Sequence, residues 1–148
     1  DDDDAAVIDH HQPLAPQLQA LGHTGVYYVA SLTHTAHYFP QLPGLMAPQG
    51  HLGVIDDFAG TDIDVMQLKG KCIALHWEMM FARSMFETDD MVQQHHLLAE
   101  AARLVDAGRL RSTEGQMLGA INAANLRLAH ALVESGTAKG KVVLAAWA

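Results

Sequence analysis

The sequence is poor in cysteine, in positive charge and in aromatic residues, and each shortage excludes a class of protein. Cys72 is the single cysteine, so no disulfide can form within the chain. Nine basic residues stand against 17 acidic ones, and no stretch combines Lys and Arg with aromatic side chains. Nucleic acid is therefore not expected as a partner, because its phosphates require a basic surface. An aromatic content of 6% does not favour a β-sandwich or barrel.

Long apolar runs are missing too. No run approaches the roughly 20 residues of a membrane-spanning helix, and the chain opens on four aspartates where a secretory signal would be basic. We expect no membrane partner and predict a location in the reducing cytoplasm. A glycine fingerprint of the GxGxxG type, which cradles a pyrophosphate, is also absent from the sequence.

What the chain does contain is 148 residues, 49% of them hydrophobic, which is enough for a sizeable core. Short apolar runs alternate with helical patterns. The runs predict four strands, and their continuous apolarity is typical of strands buried on both faces. These strands are Ala5–Ile8, Val26–Ala30, His51–Ile55 and Lys71–Trp77.

Two long helices are predicted in the second half of the chain. Thr88 is a candidate N-cap for the first and Asn122 for the second, and glycines at positions 108 and 136 fit their ends. Apolar residues recur at spacings of three and four, which predicts one buried stripe on each helix. The stripes are Met91, His95, Leu98, Ala102 and Val105, and then Leu126, Ala129, His130 and Val133.

Strands separated by helices indicate an α/β fold with a largely parallel sheet. Ligands of such sheets bind at the carboxyl ends of the strands. Two polar stretches lie there, ASLTHTAH after the second predicted strand and IDDF after the third. Helix capping and hydrogen bonding within the loop would also explain these side chains, and the pattern alone leaves both interpretations open. The residues concerned are Ser31, Thr33, His34 and Thr35.

Three blocks of sequence together resemble a known family. VYYVASLTHTAHYFPQLPGLMAPQGHLGVIDD, LKGKCIALHWEMMFARSMFET and INAANLRLAHALVESGTAKGKVVL occur in that order. They resemble the C-terminal half of medium-chain alcohol dehydrogenases and quinone oxidoreductases, in the branch known as zinc-type alcohol dehydrogenase-like. The resemblance begins at about residue 5 and covers nearly the whole chain.

The resemblance implies a partial Rossmann-like parallel sheet with flanking helices that lacks its first two strands. It also implies a C-terminal helix and strand that return to a GroES-like barrel absent from this sequence. Residues 1–110 would belong to the nucleotide-binding domain and residues 111–148 to the returning segment. In the strand order 3-2-1-4-5-6, Ala5–Ile8 would then be an edge strand separated from its neighbours by a gap.

The resemblance further implies NADP or NAD as cofactor, with NADP favoured. In the family, the positions that match Ser31, Thr33 and His34 lie in a loop beside the cofactor. Those that match Ile55 and Asp56 lie in a turn near the nicotinamide, and those that match His76 and Trp77 lie in a segment that borders the active-site cleft. No catalytic residue is assigned, because the groups that polarise the substrate would lie mainly in the barrel. The predicted cofactor-binding residues are Ser31, Thr33, His34, Ile55, Asp56, His76 and Trp77.

Ten histidines raise the question of a metal. His34 with His37, and His95 with His96, are spaced so that each pair could act together. A closed zinc site needs four ligands, often thiolates, and only Cys72 could supply one. We therefore assign no metal ligand and do not expect zinc within this chain, although a histidine-based metal-binding module remains an alternative.

The predicted function is that of a fragment of an NAD(P)H-dependent oxidoreductase acting on a small carbonyl, alcohol or quinone-like substrate. The parent would be an enzyme, and this chain alone is expected to be inactive. The resemblance also implies a homodimer in which the Lys71–Trp77 strand pairs with its own copy. A non-catalytic dimerising α/β module is the alternative from another class. Neither the substrate nor the choice between NADP and NAD follows from these residues.

Overall fold

Two units make up the chain, Asp1–Phe86 and Glu87–Ala148. The computed structural model describes residues 5–59 and 63–147. No helix among these residues is both long enough and apolar enough to cross a membrane. The predicted division after residue 110 concerns the two domains of a longer enzyme, and it stays a prediction.

A parallel sheet of three strands forms the centre of the first unit. Its strands are β1 (Val26–Ser31), β2 (Met46–Val54) and β3 (Ala74–Trp77), in the order β1-β2-β3. In the register, Leu52 of β2 lies between Val29 of β1 and Leu75 of β3. The predicted parallel α/β sheet is confirmed, with β2 at its centre.

The predicted strand at Ala5–Ile8 was wrong. These residues are irregular, and the side chain of Val7 is 95% exposed. A strand is stabilised by backbone hydrogen bonds to a neighbour, and in the strand order given above the neighbour of this segment would be a strand that the sequence does not contain. An apolar run alone does not make a strand.

The predicted strand Lys71–Trp77 is only partly a strand. Its first residue ends a 3₁₀ helix, Val65–Lys71, and Cys72 adopts a left-handed conformation with φ of 52°. A left-handed residue turns the chain, so β3 begins only at Ala74. The carbonyl oxygens of Gly44 and Met46 accept hydrogen bonds from the Lys71 ammonium, at 3.1 and 2.7 Å.

Short helices surround the sheet in the first unit. They are α1 (Leu14–Ala20), α2 (Thr35–Tyr38), α3 (Leu42–Leu45) and α4 (Ala82–Met85). Pro40 lies between α2 and α3, and because it has no backbone N–H it cannot continue the hydrogen bonds of α2. Pro43 lies in the first turn of α3, where a proline is tolerated.

One face of the sheet carries the core. Leu52 and Val54 of β2 are fully buried against Phe39 and Met46, each 1% exposed. Burying a side chain of this size stabilises the fold by about 1.5–3 kcal/mol. On the opposite face, Tyr28 is 73% exposed. The prediction that the strands are buried on both faces was therefore wrong for the part of this unit that the structure describes.

The second unit pairs two helices with a small parallel sheet. Its elements are α5 (Gln93–Asp106), β4 (Glu114–Met117), α6 (Ala123–Glu134) and β5 (Lys141–Val143). The final strand β5 pairs with β4, so this chain itself supplies a partner for the apolar run at its end. The predicted cap is present: the Asn122 side chain accepts a 2.9 Å hydrogen bond from the Asn125 backbone N–H.

The other helix predictions need correction. Thr88 is not an N-cap, because α5 begins at Gln93 and the Thr88 hydroxyl donates instead to the Asp90 carboxylate at 2.7 Å. The predicted buried stripes are largely exposed, with Leu98 at 62% and Val133 at 59%. Helical spacing shows which residues share a face, but a second packed layer decides whether that face is covered.

Candidate functional site

Three polar side chains form a hydrogen-bonded network where β1 and β2 end. The Ser31 and Thr35 hydroxyl oxygens lie 2.7 Å apart. The Thr35 backbone N–H donates to the Asp56 carboxylate at 3.0 Å, and the Thr35 hydroxyl donates to the other oxygen of the same carboxylate. Thr35 is fully buried and Ser31 is 8% exposed. The network therefore fixes the loop after β1 to the segment after β2.

The parallel register places these groups together. Ser31 is aligned with Val54, and the Ile55 backbone N–H donates to the Ser31 carbonyl oxygen at 3.2 Å. Because both strands run in the same direction, their carboxyl ends lie at the same edge of the sheet. Asp56, two residues beyond the end of β2, is thereby brought against Thr35 at the start of α2.

His34 gives the loop an unusual backbone conformation. Its φ is 54°, in the left-handed region that residues other than glycine seldom adopt. The Thr33 hydroxyl oxygen lies 2.9 Å from Nδ1 of His34, and both side chains are exposed. Strained positions of this kind concentrate at ligand sites, where the surrounding contacts hold them in place. Here the hydrogen bonds from Thr35 to the Asp56 carboxylate hold the chain in place directly after His34.

The network also keeps Asp56 ionised. The Thr35 hydroxyl lowers the pKa of the Asp56 carboxyl below its ordinary value of 3.8, and the Thr35 backbone N–H lowers it further. Both donors favour the charged form because they bond to it more strongly than to the neutral acid. Both oxygens of the Asp56 carboxylate thus accept hydrogen bonds from Thr35, and the carboxylate anchors the loop after β1.

A groove of about 510 Å³ opens beside this loop. Leu14, Val29 and Leu42 supply apolar wall, and Ser31, Thr33 and His34 supply polar groups at the end of β1. Ligand sites are commonly of this size and combine apolar walls with a few polar groups. The groove can hold a flat, partly apolar group such as an aromatic ring.

The structure brings only some of the predicted site residues to the groove. Ser31, Thr33 and His34 line it, and Ile55 and Asp56 lie next to them in the chain segment after β2. In the described residues, His76 and Trp77 of β3 are not part of its lining. Nε2 of His76 lies instead 2.9 Å from Nδ1 of His51, and the Trp77 ring packs against Phe58.

Two contributors to this region were not among the predicted cofactor-binding residues. Thr35, which the sequence offered only as a capping or loop residue, is fully buried and carries the network. His10 lines the groove from a turn that precedes α1. The contact of Thr35 with Asp56 and the position of His10 leave no local sequence signal, because both depend on distant parts of the chain.

The parallel sheet with a polar loop at its carboxyl edge defines a Rossmann-like α/β protein. A sequence model of the zinc-binding dehydrogenase family matches residues 4–144. The chain belongs to this family, and the resemblance seen in the sequence is confirmed.

Individual relatives agree with this assignment. Zinc-type alcohol dehydrogenase-like proteins of Staphylococcus epidermidis (strain ATCC 12228) and Staphylococcus aureus (strain MSSA476) are 28% and 31% identical over 138 residues, which is 93% of this chain. A solved structure from Rhizobium etli CFN 42, provisionally described as a zinc-dependent alcohol dehydrogenase, is 49% identical with a TM-score of 0.86. It is matched over 97% of this chain and 42% of its own. The chain spans about two-fifths, 41%, of the length of the two staphylococcal relatives.

Proposed function

We propose that the chain is the C-terminal part of an NAD(P)H-dependent oxidoreductase that transfers hydride to or from a small carbonyl, alcohol or quinone-like substrate. The observation that carries this proposal is the Ser31–Thr35–Asp56 network, which holds a polar loop over a groove at the carboxyl edge of a parallel sheet. Cofactors of Rossmann-like proteins bind at this edge. Membership of the dehydrogenase family supports the reaction class.

The residues of the groove suit one end of a nicotinamide cofactor. When bound, the cofactor supplies the hydride chemistry, and the protein orients it and excludes water. Val29 and Leu42 offer an apolar wall for a ring. Thr33 and His34 offer hydrogen-bonding groups at the exposed rim, while Asp56 positions the loop through Thr35. Ile55, His76 and Trp77 stay predicted contacts that the groove itself does not include.

The preference for NADP over NAD stays a prediction, because the residues that contact the adenosine ribose follow the second strand of such sheets. The cytoplasmic location and the inactivity of this chain alone also stay predictions. A titration of NADPH fluorescence with this chain tests the proposal, and saturable binding that depends on the groove is the expected result.

We also propose a homodimer formed through β3. Within the described residues β3 pairs only with β2, at one end of the sheet. Unpaired edges of this kind readily accept another strand. Large apolar side chains at the end of the strand and just after it are exposed, with Trp77 at 62%, Phe81 at 54% and Phe86 at 76%. Exposed apolar clusters commonly mark protein interfaces, so these side chains support pairing with a second copy.

The same exposed surface is the observation that favours the alternative function, a non-catalytic dimerising module. A chain that dimerises but gives no saturable NADPH signal would support the alternative over the oxidoreductase.

A further inference from the structure

The turn that precedes α1 brings together three potential metal ligands. Ligand atoms of Asp9, His10 and His11 all lie within 4.8 Å of one another, and all three residues are exposed. The ring centroids of the two histidines are 3.9 Å apart. Among the described residues this is the one group of three or more such side chains close enough to share an ion. The sequence analysis considered other histidine pairs and missed this group.

Gln17 of α1 holds the turn in place. The Asp9 backbone N–H donates to Oε1 of Gln17 at 2.8 Å, and Nε2 of Gln17 donates back to the Asp9 carbonyl oxygen at 2.9 Å. The same Nε2 donates to the Pro13 carbonyl oxygen at 3.0 Å. Hydrogen bonds on both sides of Asp9 therefore fix the backbone that carries the three side chains, so fewer degrees of freedom remain to be lost when a ligand binds.

The carboxylate of Asp9 is also oriented. The His11 backbone N–H donates to its Oδ1 at 2.9 Å. A carboxylate has four lone-pair sites on two oxygens, so Oδ2 stays available for a ligand bond. The two imidazoles each offer a ring nitrogen when neutral, and the histidine side chain is the commonest metal ligand in proteins.

We propose that Asp9, His10 and His11 bind one divalent transition-metal ion of the zinc, nickel or copper type. Imidazole nitrogens favour these metals, whereas magnesium and calcium favour oxygen ligands only. Zinc binds imidazole nitrogen at about 2.0–2.1 Å and accepts three protein ligands with water in the fourth position. Exposed side chains change rotamer within nanoseconds, so rotation of the two rings brings their nitrogens to that distance.

The site lies in the turn before α1 and includes no thiolate. It also does not depend on the proposed oxidoreductase function. His10 lines the groove as well, so the ion would lie at the rim of the groove. Its open coordination position would be filled by water.

A zinc titration by isothermal calorimetry at pH 7.5 tests the proposal with the whole chain. The site variants are the double substitution His10→Asn with His11→Asn, and the single substitution Asp9→Asn, whose amide oxygen can still accept the His11 N–H. The control is His95→Asn with His96→Asn, another adjacent exposed pair, whose ring centroids are 5.5 Å apart. Circular dichroism checks that each variant keeps the fold.

We expect one zinc equivalent for the unmodified chain and for the control. Binding by the site variants should be at least about tenfold weaker, because even substitutions of residues that only support metal ligands typically weaken binding that much. Equal losses in the control and in the site variants would overturn the proposal, and so would unchanged binding in the site variants. Copper(II) added to the ¹⁵N-labelled chain gives a second measurement. Amide signals of residues 9–12 and Gln17 should broaden first, and uniform broadening at all ten histidines would contradict the site.

Discussion

Thr35 and Asp56, 21 residues apart in the sequence, are joined by two hydrogen bonds to a single carboxylate, one from the Thr35 backbone N–H at 3.0 Å and one from the Thr35 hydroxyl. Since Thr35 starts α2 and Asp56 follows β2, this contact ties the loop that lines the groove to the segment after β2. The loop between Ser31 and Thr35, and with it the polar rim of the groove, owes its position to this contact.

Replacing Thr35 tests how much the contact stabilises the fold. Thr35→Val removes the hydroxyl from a fully buried position and leaves the Ser31 hydroxyl and one Asp56 oxygen without that partner. We expect the free energy of unfolding, measured with urea, to fall by about 1–3 kcal/mol. The control variant Thr35→Ser keeps the hydroxyl, so its free energy of unfolding should fall clearly less. If the Thr35→Val variant were as stable as the Thr35→Ser variant, the network would have no stabilising role.

The Asp56 carboxylate should make the free energy of unfolding depend on pH in the acid range. Its pKa is lowered in the folded chain, chiefly by the Thr35 hydroxyl, so the folded state binds its proton more weakly than the unfolded state. The stabilisation it provides is therefore complete above the ordinary pKa of 3.8 and is lost as the pH falls through the lower folded value.

Urea unfolding at a series of pH values measures this dependence. The unmodified chain should lose more stability than Asp56→Asn as the pH falls below about 4. Asp57→Asn is the matched control, because the neighbouring carboxylate is exposed and should leave the acid dependence unchanged. Parallel pH profiles for the unmodified chain and Asp56→Asn would argue against a carboxylate anchor.

A substitution at Gly50 tests how closely β2 packs against β1. A Cβ at this position would lie 2.8 Å from the Tyr27 carbonyl oxygen and 3.0 Å from the Ala47 carbonyl oxygen. Gly50→Ala should therefore destabilise the chain by about 1–3 kcal/mol in thermal or urea unfolding. Gly53→Ala, in the same strand, meets its nearest atom at 3.8 Å and should be tolerated. A larger loss for Gly53→Ala would contradict the register of the sheet.

The proposed dimer can be tested at the edge strand. Light scattering should give a mass of twice 16.0 kDa for the unmodified chain. Trp77→Glu places a charge on β3 and should shift the chain to a monomer, because burying an unpaired charge in an interface is costly. Trp147→Glu alters another exposed tryptophan, 82% exposed in the second unit, and should leave the dimer intact. A dimer that survives Trp77→Glu would place the interface elsewhere.

Much of the fold could be predicted from local sequence. The β1 run of β-branched and aromatic residues and the Asn122 cap each depend on residues close in the chain, and both were found. Ala5–Ile8 could not be judged locally, because a strand requires a neighbour. The exposure of the α5 stripe likewise depends on what covers the helix, which spacing alone does not reveal.

The candidate site was predictable only in part. The rule that ligands bind at the carboxyl ends of parallel strands led to Ser31, Thr33 and His34, all of which line the groove. The role of Thr35 depends on a partner 21 residues away, and the turn at Asp9 depends on Gln17 eight residues later. Such contacts form only in the folded chain, so no spacing rule could identify them.

A fluorescence titration of NADPH with this chain tests the claim that the groove beside Ser31 and His34 binds a nicotinamide cofactor. His34→Asn removes the imidazole while keeping a residue that tolerates the left-handed conformation. His37→Asn, on α2 outside the groove lining, is the control. We predict saturable binding that His34→Asn weakens and His37→Asn leaves unchanged. No saturable signal, or equal effects of the two substitutions, would contradict the claim.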